Sequence, residues 1–224
     1  DLDMNTMIVA STGSKKSLSV IMPTVESLSG AGSSMIINDP KREILDRMSK
    51  ALKKRKYRII ILNLRSPKEG QAYNPYGEIG ELVKEGKEGA AQELAMDLSE
   101  IIYKSIHSEK DLFWETTAAN YCAGLALLLA KESPDNLSLE GIHELHMKGD
   151  ILIGKERALK TYFDEVKDKY PKIYQLVEAT INSPSDTYSS ITSVFSSGLM
   201  KNTFNKEVAE MLSFSDFSVK ELVD

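Results

Sequence analysis

The 224-residue sequence predicts an α/β chain in which a partial parallel sheet is followed by a mainly helical part. Three observations lead there. Residues 1–80 alternate short, continuously apolar runs with helix-like segments; from about residue 88 the apolar spacing becomes helical; and Pro- and Asn-containing breaks separate the segments. With 42% hydrophobic and 27% charged residues, the chain has the make-up of one large globular domain or two small ones.

The predicted strands are Thr6-Met7-Ile8-Val9, Ser34-Met35-Ile36-Ile37-Asn38 and Tyr57-Arg58-Ile59-Ile60-Ile61-Leu62-Asn63. Runs this apolar are usually buried on both faces, as in a parallel sheet covered by helices. Between the second and third, residues 42–56 place Ile44, Leu45, Met48 and Leu52 at helical spacing with a basic opposite face, which predicts a βαβ crossover. Helices are predicted near 90–106, 111–130, 155–166, 172–179 and 189–199. Breaks fall at Ser133-Pro134-Asp135-Asn136, Tyr170-Pro171 and Asn182-Ser183-Pro184-Ser185. Internal repeats and low-complexity tracts are absent from the sequence.

The balance of 28 basic and 33 acidic residues, net charge −5, gives no whole-molecule attraction to nucleic acid or anionic lipid, so any such binding must use a local patch. The single cysteine, Cys122, has no internal disulfide partner and lies among small apolar residues, which fits a reducing compartment. No apolar run reaches the roughly 18 residues that span a bilayer, and the N-terminus lacks a signal pattern. This stretch is expected to be soluble, with any membrane anchor in segments outside it.

The sharpest signal is the run of residues 6–17, in which an apolar strand leads into Ala10-Ser11-Thr12-Gly13-Ser14-Lys15-Lys16-Ser17 and then into an apolar helix start. A phosphate cradle needs that context. Backbone N–H groups of Thr12, Gly13, Ser14 and Lys15 and the helix N-terminus face the anion, Lys16 reaches the β/γ-phosphates of ATP, and Ser17 ligates Mg²⁺. Against G-x-x-x-x-G-K-[ST], the first glycine is Ala10 and the second is Lys15. Lys15 brings a Cβ to a position where close approach or an unusual φ favours glycine, so the loop either binds nucleotide more weakly or no longer turns it over. The alternative is a Ser/Lys-rich turn between strand and helix.

Three further blocks follow: Asp39-Pro40-Lys41-Arg42-Glu43, Tyr73-Asn74-Pro75 and Phe113-Trp114-Glu115. With the loop at 10–17, these four in this order resemble the coupling-protein ATPases of type IV secretion and conjugation, in the FtsK/HerA-like branch of RecA-fold motors. The ending Ser213-Phe214-Ser215-Asp216-Phe217-Ser218 looks like that family's return into the nucleotide domain. The resemblance implies a partial RecA-like P-loop parallel sheet in residues 1–85, an all-α inserted domain in 86–210 and a return into the nucleotide-binding domain in 211–224. It also implies in-line phosphoryl transfer to water, with Lys16 as a catalytic residue and Glu43 as the group that orients the water. Where the family has a glycine before that glutamate, this chain has Arg42, and Glu43 has an alternative role as a carboxylate favoured by a helix N-terminus. The Asp-Glu strand end that such ATPases use for Mg²⁺ is not found after residue 60 and is expected outside this chain.

The same resemblance implies a homo-hexamer at the cytoplasmic face of the bacterial inner membrane, working on DNA, a relaxase or effector proteins together with secretion-channel components. A different class stays open: a scaffold that has lost nucleotide binding and recruits substrates through its helical half. Of the weaker features, His143 and His146 lack a third metal ligand and read as structural or surface groups. The run Lys50, Lys53, Lys54, Arg55, Lys56 and Arg58 reads as a solvated helix end, with a phosphate-backbone contact as the alternative. Phe113 and Trp114 read as core packing against Tyr121 and Leu125, with a partner surface as the alternative.

Overall fold

A computed structural model describes residues 6–9, 11, 15–104 and 112–222. The chain divides into two compact units, residues 1–60 and 61–224.

In the first unit a helical run starts as a π-turn over Ser17–Ile21 and continues as α1 over Met22–Gly30. It ends in a Schellman motif: Gly32 adopts φ +77°, and the Ser33 amide reaches back to the Leu28 carbonyl at 3.0 Å. The second helix, α2, spans Glu43–Lys54 and buries Ile44, Met48 and Leu52 against Val25, with Met22, Met35, Tyr57 and Ile59 around them. Four-residue spacing produces that stripe, and acids in the first turn with lysines in the last suit the helix dipole. It too closes in a Schellman motif, Tyr57 N–H to Leu52 C=O at 3.0 Å, but Lys56 fills the left-handed position at φ +67°.

The predicted parallel sheet is not there. Among the described residues, the sole ladder is the antiparallel pair β1 (Leu152–Ile153) and β2 (Glu156–Arg157), with Leu152 opposite Arg157. Residues 6–9, 33–39 and 57–63 form no strand. Met7 is 88% exposed, Val9 82% and Ile36 fully. A strand exists only when a neighbour takes its N–H and C=O groups, and an apolar pattern does not supply that neighbour. Ile61 illustrates the substitute: its N–H donates to the Gln71 side chain at 2.7 Å, and its C=O accepts from the Gln71 N–H at 2.8 Å. Gly70 permits this approach, since a Cβ there would lie 2.6 Å from the Ile61 oxygen. The α/β, RecA-like expectation is therefore corrected to a mainly helical fold, and the βαβ crossover to a helix without flanking strands.

The second unit is built around α5, Leu112–Glu132, which is buried on nearly every side from Thr117 to Ala130. A helix apolar all round must be wrapped, and α3 (Gly77–Lys84), α4 (Glu88–Lys104), α6 (Leu139–Gly149), α8 (Pro171–Ile181) and α9 (Ser185–Thr203) pack on it. Its alanines and Gly124 allow the close approach. Two further α-helices, α7 (Ala158–Val166) and α10 (Lys206–Met211), belong to the unit among the described residues. The expected breaks separate helices: Ser138 caps α6 by accepting the Gly141 N–H at 3.0 Å, and Pro171 opens α8. Cys122 lies in the core, where burial pushes its thiol pKa up. Among the described residues no helix is long and apolar enough to cross a membrane.

His146 also lies inside, its Nδ1 3.1 Å from the Tyr121 hydroxyl and its ring edge-on to Tyr121 and Phe195. Burial lowers its pKa, opposed by nearby Asp150. The unfolded chain then takes a proton near pH 6.5 that the folded chain resists, so stability is full above that value and falls as pH drops through it. Denaturation between pH 7.5 and 5.5 is expected to show a slope of up to about 1.4 kcal/mol per pH unit from this site, which His146→Gln removes; an unchanged slope in the variant rules it out. No group of residues fit to hold a metal ion occurs among the described residues, His143 included.

Candidate functional site

Of the predicted phosphate loop, Ala10, Thr12, Gly13 and Ser14 lie outside the described residues. Lys15 is exposed and takes φ +61°, and its carbonyl accepts from the Leu18 and Ser19 amides at 3.0 and 2.9 Å, which starts the helical run. Lys16 is exposed and helical at φ −46°, and half-buried Ser17 opens the π-turn. An ammonium group and a hydroxyl thus stand at the first turn of a helical run, where backbone N–H groups are directed outward from the end of the helix.

The second block folds into a tight turn. The Asp39 carboxylate accepts from the Ile44 and Leu45 amides, both at 2.9 Å, and so caps α2 from four residues before it. Arg42 follows at φ +59°, and Glu43 is the exposed first residue of α2. Lys15, Lys16, Ser17 and Glu43 all belong to the first unit, on two helical segments that share the Val25, Ile44, Met48 and Leu52 cluster.

Lys15 and Arg42 are two of the three positions, with Ala10, where glycine is expected, and both hold the left-handed backbone that glycine adopts without strain. A side chain there costs about 1–2 kcal/mol in conformation, partly offset because glycine loses more entropy on folding. Arg42→Gly is therefore expected to raise stability by about 0.5–1 kcal/mol, read as slower amide exchange in α2; a loss of protection contradicts it. The exposed Arg42–Asp46 pair at 3.8 Å contributes little to the balance.

The third block is a clasp, a role its tripeptide alone does not announce. Asn74, 5% exposed, donates through Nδ2 to the Leu137 carbonyl at 2.6 Å and the Ser213 carbonyl at 3.3 Å, and its Oδ1 accepts from the Tyr76 amide at 3.0 Å. The backbone of 72–74 is matched to the chain's last segment: Ala72 N–H to the Asp216 carboxylate at 2.7 Å, Tyr73 N–H to Met211 C=O at 2.9 Å, and Asn74 N–H to Ser215 Oγ at 3.0 Å. Tyr73 stacks on Phe217 at 5.3 Å, and burial raises its phenol pKa. Nearby, Lys220 and Lys87 hold the exposed Glu85 carboxyl down to about 2.

In the fourth block Glu115 is buried and Phe113 meets Trp114 edge-on at 5.1 Å. Phe113 is 59% exposed, so the expected core packing does not hold for it. In the basic run, Arg55 is tied to Glu26 and Ser29, while Lys50, Lys53, Lys54 and Lys56 are exposed on and after α2.

A family model described as type IV secretory system conjugative DNA transfer matches residues 3–224 of the chain. No curated protein and no solved structure matches it.

Proposed function

Since the chain belongs to the type IV secretory system conjugative DNA transfer family, we propose that it is part of a motor ATPase that couples ATP binding and hydrolysis to delivery of DNA or protein into the secretion channel. The observation that carries the reading is the pairing of Lys16 and Ser17 at the start of a helical run, with Lys15 just before them in the left-handed region at φ +61°. A cation, a hydroxyl and a helix N-terminus are a donor set suited to a polyphosphate and its magnesium ion.

In this reading Lys16 neutralises the β/γ-phosphate oxygens and Ser17 orients the metal. Glu43, exposed at the N-terminus of α2, accepts a hydrogen bond from the attacking water and aligns it. Bound Mg²⁺ would supply charge neutralisation at the leaving oxygens. The chain is assigned to a homo-hexameric assembly at the cytoplasmic face of the bacterial inner membrane, with DNA, relaxase or effector proteins and channel components as partners. The mainly helical second unit would receive those partners.

Titration of the chain with Mg²⁺-ATP tests the reading. Binding is expected, with at least about a tenfold loss in Lys16→Ala, the size of one charge-assisted contact. Binding equal in the two proteins, or none in either, would transfer support to a scaffold that recruits substrates without nucleotide.

A further inference from the structure

We propose that the outward face of α2, formed by Arg47, Lys50 and Lys54, docks the sugar–phosphate backbone of DNA; the choice of DNA rests on the family's transfer role, and the site does not depend on ATP binding. Charge is segregated between the two units. Residues 1–60 carry eleven Lys/Arg against six Asp/Glu, net +5, whereas residues 61–224 carry seventeen against twenty-seven, net −10. The chain's overall acidity therefore hides a basic unit, a distribution suited to binding a polyanion locally.

Within that unit α2 supplies a rigid row. At about 100° per residue, Arg47, Lys50 and Lys54 fall within an arc of about 60° outside the stripe of buried Ile44, Met48 and Leu52; the acids of the first turn, Glu43 and Asp46, lie at the start of the same face, and Lys53 stands beside the row. Arg47, Lys50, Lys53 and Lys54 have no ion-pair partner among the described residues, in contrast to Arg55, which is held by Glu26 and Ser29. The helix dipole accounts for cations in the last turn, Lys53 and Lys54, but not for Arg47 and Lys50, which stand earlier. From Arg47 to Lys54 the row is about 10 Å long, a length over which duplex DNA presents about six phosphate charges.

A lipid surface fits less well. Peripheral helices need exposed apolar residues to enter the headgroup region, and those of α2 are turned into the core, with Leu45 and Ala51 half-buried beside it.

The test is fluorescence anisotropy of a labelled DNA duplex with the full chain across about 50 to 200 mM salt. R47Q/K50Q/K54Q is expected to lose on the order of 10²-fold in affinity near 0.1 M salt and about 2.7 in the slope of log K against log salt. Lys50→Gln alone should lose about 0.9 of that slope, which keeps the idea testable should the triple variant misfold. A charge-matched control at exposed positions of the second unit, K155Q/K167Q/K172Q, should change little. Equal losses in both triple variants, absence of DNA binding by the unaltered chain, or loss of anionic-vesicle binding with DNA binding unchanged would each overturn the proposal. Mg²⁺-ATP affinity is measured in parallel: the α2 variants should keep it and Lys16→Ala should keep DNA, so failure of the nucleotide reading and failure of this one remain distinct.

Discussion

Asn74→Leu is expected to lower the stability of the second unit by about 3–5 kcal/mol, because it leaves three backbone groups without partners at once. The Leu137 and Ser213 carbonyls lose their donor and the Tyr76 amide loses its acceptor. Each orphaned buried group costs about 1–3 kcal/mol, more than the hydrogen bond itself contributes in a comparison with water. The effect should spread along the clasp. Amides of Tyr73 and Asp216, which bond to Met211 and Ala72, should exchange faster, whereas those in the middle of α5 should follow only the global loss. Ser215→Ala, which removes a single acceptor for the Asn74 amide, should cost only about 1 kcal/mol. A cost below that for Asn74→Leu in chemical denaturation would mean that the clasp is dispensable.

Gly198→Val should be comparably severe. Tyr103 is fully buried, and its ring lies flat enough on α9 that a Cβ on Gly198 would sit 2.4 Å from Cε1 and 2.9 Å from Cδ1. The ring cannot swing aside freely, since its hydroxyl donates to the Phe195 carbonyl at 2.9 Å on the same helix. Relief requires moving α4 from α9 or breaking that bond, and overpacking of a tight core costs about 1–3 kcal/mol, more where the neighbour is held. The β-branched side chain adds stiffness of its own. A double-mutant cycle isolates the cause: in a Tyr103→Ala background the valine should cost at least about 1 kcal/mol less than in the original chain. Additive effects would show that the clash is not with this ring.

The helices of the second unit were legible because their signals are local. The predicted segments at 90–106, 111–130, 172–179 and 189–199 correspond to α4, α5, α8 and α9, and the Pro-containing breaks lie between them. A helix closes its hydrogen bonds within its own chain segment, so spacing and caps suffice to find it. Glu43 at the start of a helix and an unusual φ at Lys15 were readable for the same reason, since each depends on a few neighbouring residues. The helices over Leu139–Gly149 and Lys206–Met211 and the β1–β2 pair that precedes α7 were not among the predicted segments.

The sequence by itself determined the long helices α4, α5, α8 and α9 of the second unit and the four blocks that point to the family. Only the tertiary structure decided the rest. It left the three apolar runs without a ladder, matched residues 72–74 to 211–217, and turned the cations of α2 outward beside a buried apolar stripe. The physical reason is shared: an apolar pattern states that a segment seeks burial, whereas strand pairing and the Asn74 clasp require partners far away in sequence, which no local pattern names.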